Sequence, residues 1–134
     1  MVLNKKMLKE MAVPVLFMAF IFVLSSIPIL TDGGAGSIQA LTDLNPVIQN
    51  LGHIPLYGVL VFLWLRFFDL ARFPLKQVII FSLLTTIAFG CFDEFHQSFV
   101  RGRHCDFLDV LLDSIGAVLG TAFFAGPWRK FSQK

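Results

Sequence analysis

The sequence carries little charge: 15% of its 134 residues are Asp, Glu, Lys or Arg, against 56% that are hydrophobic. A soluble domain has about 25% charged residues, so this chain has too few polar groups to cover a surface facing water. Its basic residues are scattered and its net charge is only +2, which excludes the basic stripe of a nucleic-acid-binding protein. Two cysteines, Cys91 and Cys105, are all it has. That excludes a disulfide framework and a Cys-x-x-Cys metal site. The pair flanks one polar stretch and reads as two free thiols, unless the stretch loops back and joins them. Tyrosine occurs once, at Tyr57. There is no P-loop or nucleotide-type glycine fingerprint, no internal repeat and no low-complexity segment.

What is present is apolar length. Mean hydropathy is +0.75, and 16 residues are Phe, most simply lipid-facing and packing surface. A crossing helix needs about 20 mostly apolar residues. Four runs qualify, at 11–30, 51–68, 74–99 and 106–125, and 134 residues permit one domain. The expected fold is an all-α integral membrane protein, a four-transmembrane-helix bundle. Val13 to Leu30 carries no charge and follows Lys5, Lys6 and Lys9. It exceeds a signal-peptide core of about 7–15 residues, and the following G-G-A-G-S is a poor cleavage site, so it reads as an uncleaved anchor. Pro14 is expected in its first turn and Pro28 near its end.

Lysine and arginine placement sets orientation. Lys5, Lys6 and Lys9, then Arg66, Arg72 and Lys76, then Arg129, Lys130 and Lys134 fall on one side of four crossings. Thr31 to Asn50 has no Lys or Arg, and the third connection holds Arg101 and Arg103 among acids. The expectation is N-in and C-in, in a bacterial cytoplasmic membrane.

That topology brings separate polar residues to one outer end: Ser25 and Ser26, His53 and Tyr57, Asp93 to Gln97, and Asp106, Asp109 and Asp113. Thr86, Gly90, Asp93 and Gln97 share one helical stripe, as do Asp109, Asp113, Gly116 and Gly120. Glu94 is rotated about 100° from Asp93, toward another helix or the loop. G-A-V-L-G at Gly116–Gly120 is a small-xxx-small motif that admits a second helix closely. Its face is also the acidic face, so the carboxylates should point into the bundle. Acids facing lipid would each cost about 2.5–3.5 kcal/mol at the bilayer centre.

At these residues the chain resembles the VanZ-like membrane protein family. The resemblance lies in S-S-I-P at Ser25–Pro28 and in His53 and Tyr57. It continues in D-E-F-H-Q at Asp93–Gln97, R-G-R at Arg101–Arg103 and D-V-L-L-D-S-I-G-A-V-L-G at Asp109–Gly120. Asn50 and Leu56 stand where the family often has a Lys and an acid, and Asp113 stands where it often has Asn. The resemblance implies a link to glycopeptide resistance, particularly teicoplanin. Some members carry a phosphotransbutyrylase label, which the missing nucleotide fingerprint does not support.

The functional expectation is an outward-facing site in the outer leaflet that acts on or binds an envelope lipid, a lipid-linked cell-wall precursor or a lipoglycopeptide. His53, Asp93, Glu94, His96 and Asp109 are the candidate catalytic residues. A histidine moves protons near neutral pH, and Asp93 or Glu94 orients it or acts as base. Tyr57, Gln97, Arg101, Arg103, Asp106 and Asp113 are the candidate binding residues, the arginines suiting an anionic head group. No cofactor is evident, although Asp109 and Asp113 could hold a divalent cation. His96, His104, Cys105 and an acid match no familiar zinc spacing. Ser25 or Ser26 could be a nucleophile, but serines near a helix end more often bond backbone carbonyls. Two plainer readings stand beside these. The acids, arginines and Gln97 could simply lock the helix ends together, since buried polar groups need partners whatever the function. A proton-relaying transport component is the other, although four helices are few for alternating access.

Orientation is checkable with thiols. Cys105 is expected to react with a membrane-impermeant maleimide in intact cells, whereas a Lys130→Cys thiol in a Cys-free background reacts only after permeabilisation. The reverse pattern removes the N-in, C-in topology.

Overall fold

The computed structural model describes residues 5–28 and 51–128. Its regular elements there are helices: α1 (Lys5–Ser25), α2 (His53–Leu70), α3 (Leu75–Gln97) and α4 (Phe107–Phe123), with a π-helical turn from Phe124 to Trp128 after α4. α1, α2, α3 and the stretch Phe107–Trp128 are each long and apolar enough to cross a membrane. The connection rich in small residues before α2 and the basic C-terminal tail lie outside the described residues.

α1 begins well before the apolar run that the sequence marks. Lys, Met, Leu and Glu are all good helix formers, so Lys5 to Glu10 join the helix. Pro14 is therefore buried in the helix interior, more than two turns from its start, and not in the first turn. A proline there removes one i→i−4 hydrogen bond, a cost met inside the span. The other end comes early. The Ser25 and Ser26 hydroxyls both approach the Phe22 carbonyl, at 3.0 and 2.6 Å, and Pro28 biases Ile27 away from helical geometry. α2 stops at Ala71, after which Arg72 takes a left-handed φ of 63°. Pro74, with φ −55°, opens α3.

α2 is the central helix, and its most extensive contact is with α4. Glycines make that contact close. A Cβ on Gly116 would strike the Ile54 carbonyl, and one on Gly120 would strike the Gly58 carbonyl. The small-xxx-small motif thus receives the backbone of α2, as van der Waals packing between membrane helices favours. Two apolar layers complete the bundle. Ile21, Tyr57, Leu60, Trp64, Phe67 and Phe89 join α1, α2 and α3, while Val61, Leu65, Val78, Ala117 and Phe124 join α2, α3 and α4.

Gly116→Ala should destabilise the protein by about 1–3 kcal/mol, because the obstructing atoms are backbone and cannot rotate away. Gly126→Ala meets nothing within 4 Å and should stay within about 0.5 kcal/mol of the parent. Thermal unfolding in detergent compares the two.

Candidate functional site

The C-terminal ends of α1 and α3 and the N-terminal ends of α2 and α4 meet at one end of the bundle, and the polar residues meet with them. Asp93, Glu94 and Asp113 are each 1% exposed, and Asp109 is 9% exposed. Four of the chain's nine acids are therefore buried together.

Each acid is held differently. Asp93 Oδ1 accepts from the Ser25 hydroxyl at 2.6 Å, and its Oδ2 accepts from Gln97 Nε2 at 3.1 Å. Ser25 has one proton and two acceptors within reach. The shorter contact, to a carboxylate, is the stronger one, so Ser25 ties α1 to α3. Glu94 Oε1 accepts from Gln97 Nε2 at 3.0 Å, and its Oε2 accepts the Asp106 backbone N–H at 3.1 Å. The rotation that sets Glu94 apart from Asp93 thus carries it to the start of α4. Asp113 Oδ1 lies 2.8 Å from His53 Nδ1, the one ion-pair geometry among the described residues. Asp113 Oδ2 and Asp109 Oδ1 are buried without a hydrogen-bond partner.

His53 and Tyr57 stand one turn apart on α2, their rings stacked at 6.2 Å with 8° between planes. Gly90 makes room for them. A Cβ there would lie 2.8 Å from Asp113 Oδ2 and 3.2 Å from the Tyr57 ring. The Tyr57 hydroxyl is buried beside the Asp113 carboxylate. With Nδ1–H directed at Asp113, a neutral His53 presents Nε2 as an acceptor, the tautomer being set by the bond at the other nitrogen.

Arg103 closes this end of the bundle. Gly102, at φ 79°, turns the chain after α3 in a conformation that glycine adopts without strain. Arg103 then donates from Nε to the Ile27 carbonyl at 3.0 Å, from Nη2 to the Leu24 carbonyl at 3.2 Å and from Nη1 to Gln97 Oε1 at 3.2 Å. Its fork is spent on two carbonyls at the end of α1, where intrahelical donors run out, and on the Gln97 amide oxygen; the Leu24 carbonyl also accepts the Ile27 N–H at 3.2 Å. Burial lowers the pKa of the guanidinium, and the nearby Asp93, Glu94 and Asp109 act in the opposite direction; it stays charged.

The remaining candidates lie outside this network. His96 faces α1, with Nε2 3.0 Å from Ser26 Oγ and its ring centroid 4.2 Å from that of Phe22. The Ser26 proton is directed at Phe22, so Nε2–H is the donor. Arg101 is exposed on the turn. Asp106 is exposed and caps α4, its Oδ1 accepting from Leu108 N–H at 2.8 Å; what it lends the site is its backbone N–H. His104 is exposed, and Cys91 and Cys105 are exposed free thiols. His96, His104 and Cys105 therefore do not assemble around a metal. An apolar groove lined by Pro55, Gly58, Val59, Phe62, Gly120 and Phe123 follows the α2–α4 seam, and none of the buried acids lines it.

Sequence spacing found the acids, the histidine and the stripe that carries them. It did not find that Arg103 would bond the Leu24 and Ile27 carbonyls, because a backbone acceptor leaves no mark on residue type. A family model described as VanZ/LLP1 matches residues 6–128. No curated protein and no solved structure matches the chain.

Arg103→Lys keeps the charge but cannot reproduce a fork spread over three acceptors. It should cost about 1–3 kcal/mol, whereas Arg101→Ala should change stability by less than about 0.5 kcal/mol. Equal thermal shifts in the two variants would remove the strap.

Proposed function

The chain belongs to the VanZ/LLP1 family, and from that premise we propose that it is a membrane hydrolase or transferase acting on a lipid-linked envelope molecule, with His53 as the proton-transfer residue. The chain is a multi-pass membrane protein by its four apolar helices. The observation that carries the reading is the His53–Asp113 pair, at 2.8 Å, with Asp113 buried and His53 half-buried. A carboxylate on one imidazole nitrogen fixes the ring and leaves the other nitrogen to take a proton, the arrangement that general base catalysis requires. Glu94 and Asp109 lie beside that ring: one ligand atom from each of the three side chains falls within 4.8 Å of the others.

Asp93, Gln97, Ser25 and Arg103 have their polar atoms engaged with one another. Their part in this reading is to hold the helix ends in place. The polar end of the bundle lies in the outer leaflet of a bacterial cytoplasmic membrane, given the basic residues of the opposite end. There it meets lipid-linked cell-wall precursors from the bilayer side. The same interlocked network supports a second reading, in which the pocket binds a lipid tail or a lipoglycopeptide such as teicoplanin without changing it.

Protein in nanodiscs with lipid-linked cell-wall precursors distinguishes the two. Turnover should fall at least about 100-fold in His53→Gln while helical content and insertion are kept. Tight binding without product moves the conclusion to the second reading. Neither turnover nor binding by the parent removes both.

A further inference from the structure

We infer that His53, Glu94 and Asp109 form a binding site for a divalent transition-metal cation, Zn2+ before Mn2+ or Mg2+, with Asp113 as the carboxylate that orients the histidine. The inference rests on reading this end of the bundle as a functional site, and it adds the cofactor class.

Three observations lead there independently. The first is donor geometry. One ligand atom from each of His53, Glu94 and Asp109 lies within 4.8 Å of the other two. A tetrahedral zinc shell has edges of about 3.3 Å, a contraction that rotation of two carboxylates can supply. The three donors come from α2, α3 and the first turn of α4, so the cluster is produced by tertiary packing and by no local motif.

The second is an orphaned donor. Asp109 is 9% exposed, and its Oδ1 is buried with no hydrogen-bond partner. An unpaired buried carboxylate oxygen is costly, and the two nitrogen-bearing side chains nearby, buried Gln97 and half-buried Arg103, are already engaged. Gln97 donates to Asp93 and Glu94, and Arg103 donates to Leu24, Ile27 and Gln97. Among the described residues, no arginine or lysine comes within ion-pair distance of any of the four buried acids. Four carboxyl groups facing one imidazole and a more distant guanidinium leave negative charge that a divalent cation would neutralise.

The third is the surroundings of the donors. A metal-binding histidine almost always gives its other ring N–H to a carboxylate or carbonyl, and ligating carboxylates are themselves hydrogen-bonded. The first condition is met by His53 and the second by Glu94. Asp113 Oδ1 takes His53 Nδ1 at 2.8 Å, and Glu94 is held by Gln97 and by the Asp106 N–H.

An imidazole with two carboxylates is a mixed nitrogen and oxygen set. The imidazole favours zinc over magnesium or calcium, and zinc stands above manganese in the general order of affinities. Three protein donors leave a coordination position open, as catalytic zinc sites do.

Tag-free protein in nanodiscs, stripped with EDTA and dialysed against Zn2+, should retain about one Zn2+ per chain by plasma emission spectrometry. Co2+ in its place should give a visible absorption band. His53→Gln and Asp109→Asn should lose both the ion and the band. Asp113→Asn should weaken binding roughly 10- to 100-fold, and His104→Gln, on the exposed loop, should bind as the parent does. Should His53→Gln fail to fold, the melting temperature decides: Zn2+ raises it in the parent and leaves Asp109→Asn unmoved. No retained Zn2+ in the parent, or unchanged retention in Asp109→Asn, overturns the inference. Zn2+ binding without any lipid binding keeps the metal site and removes the proposed function. Precursor turnover by EDTA-stripped protein does the opposite.

Discussion

Gly116 and Gly120 allow the backbone of α2 to lie against α4 with no side chain between them, and that approach sets His53 opposite Asp113. The two residues are 60 positions apart, and an ordinary interaxial distance of 8–10 Å or so would hold them further apart. Gly90 does for α3 what Gly116 does for α4, giving room to the Asp113 carboxylate and the Tyr57 ring. The polar chemistry of this protein therefore rests on positions that have no side chain at all.

Packing brings the acids together, and the network then divides them by task. Asp93 has both oxygens bonded, Oδ1 to Ser25 across the α1–α3 junction and Oδ2 to Gln97 one turn on in α3, which makes it a cross-link between helices. Asp113 and Asp109 each keep a buried oxygen without a hydrogen bond, which makes them the less compensated side of the cluster. A fully satisfied carboxylate rigidifies its surroundings, whereas a partly satisfied one in a low dielectric medium has a strong demand for a proton or a cation. Glu94 sits between the two sets, bonded at both oxygens yet near His53 and Asp109.

Much of this was legible in the sequence, for physical reasons that differ between residues. Apolar run length marked the four helices, because hydrocarbon thickness fixes how many residues must be apolar. Helical spacing placed Asp93 with Gln97 and Asp109 with Asp113, since i and i+4 share a face. Pro14 was misplaced because the sequence suggests a helix start where the charges stop, and helix propensity carries the element past them to Lys5. Arg101 and Arg103 look equivalent in R-G-R, yet one is exposed and the other straps two helices. That difference depends on the φ of Gly102 and on backbone carbonyls of α1, and residue identity records neither. His96 follows the same logic: its face could be counted, but its pairing with Ser26, just past the end of α1, is set by tertiary packing.

The Arg103 strap limits how freely α1 can move relative to the acids. α1 buries only Pro14, Ile21 and Ser25, so it is the span that could most freely tilt to suit a thicker or thinner hydrocarbon layer. Its upper end is nevertheless bolted to the α3–α4 turn by Arg103 and to Asp93 by Ser25. Any change in the angle of α1 must then pull on Gln97 and Asp93, which join that strap to the acids. A tilt of α1 in response to hydrophobic mismatch would therefore displace the partners of Asp93 before it displaced anything else in the cluster.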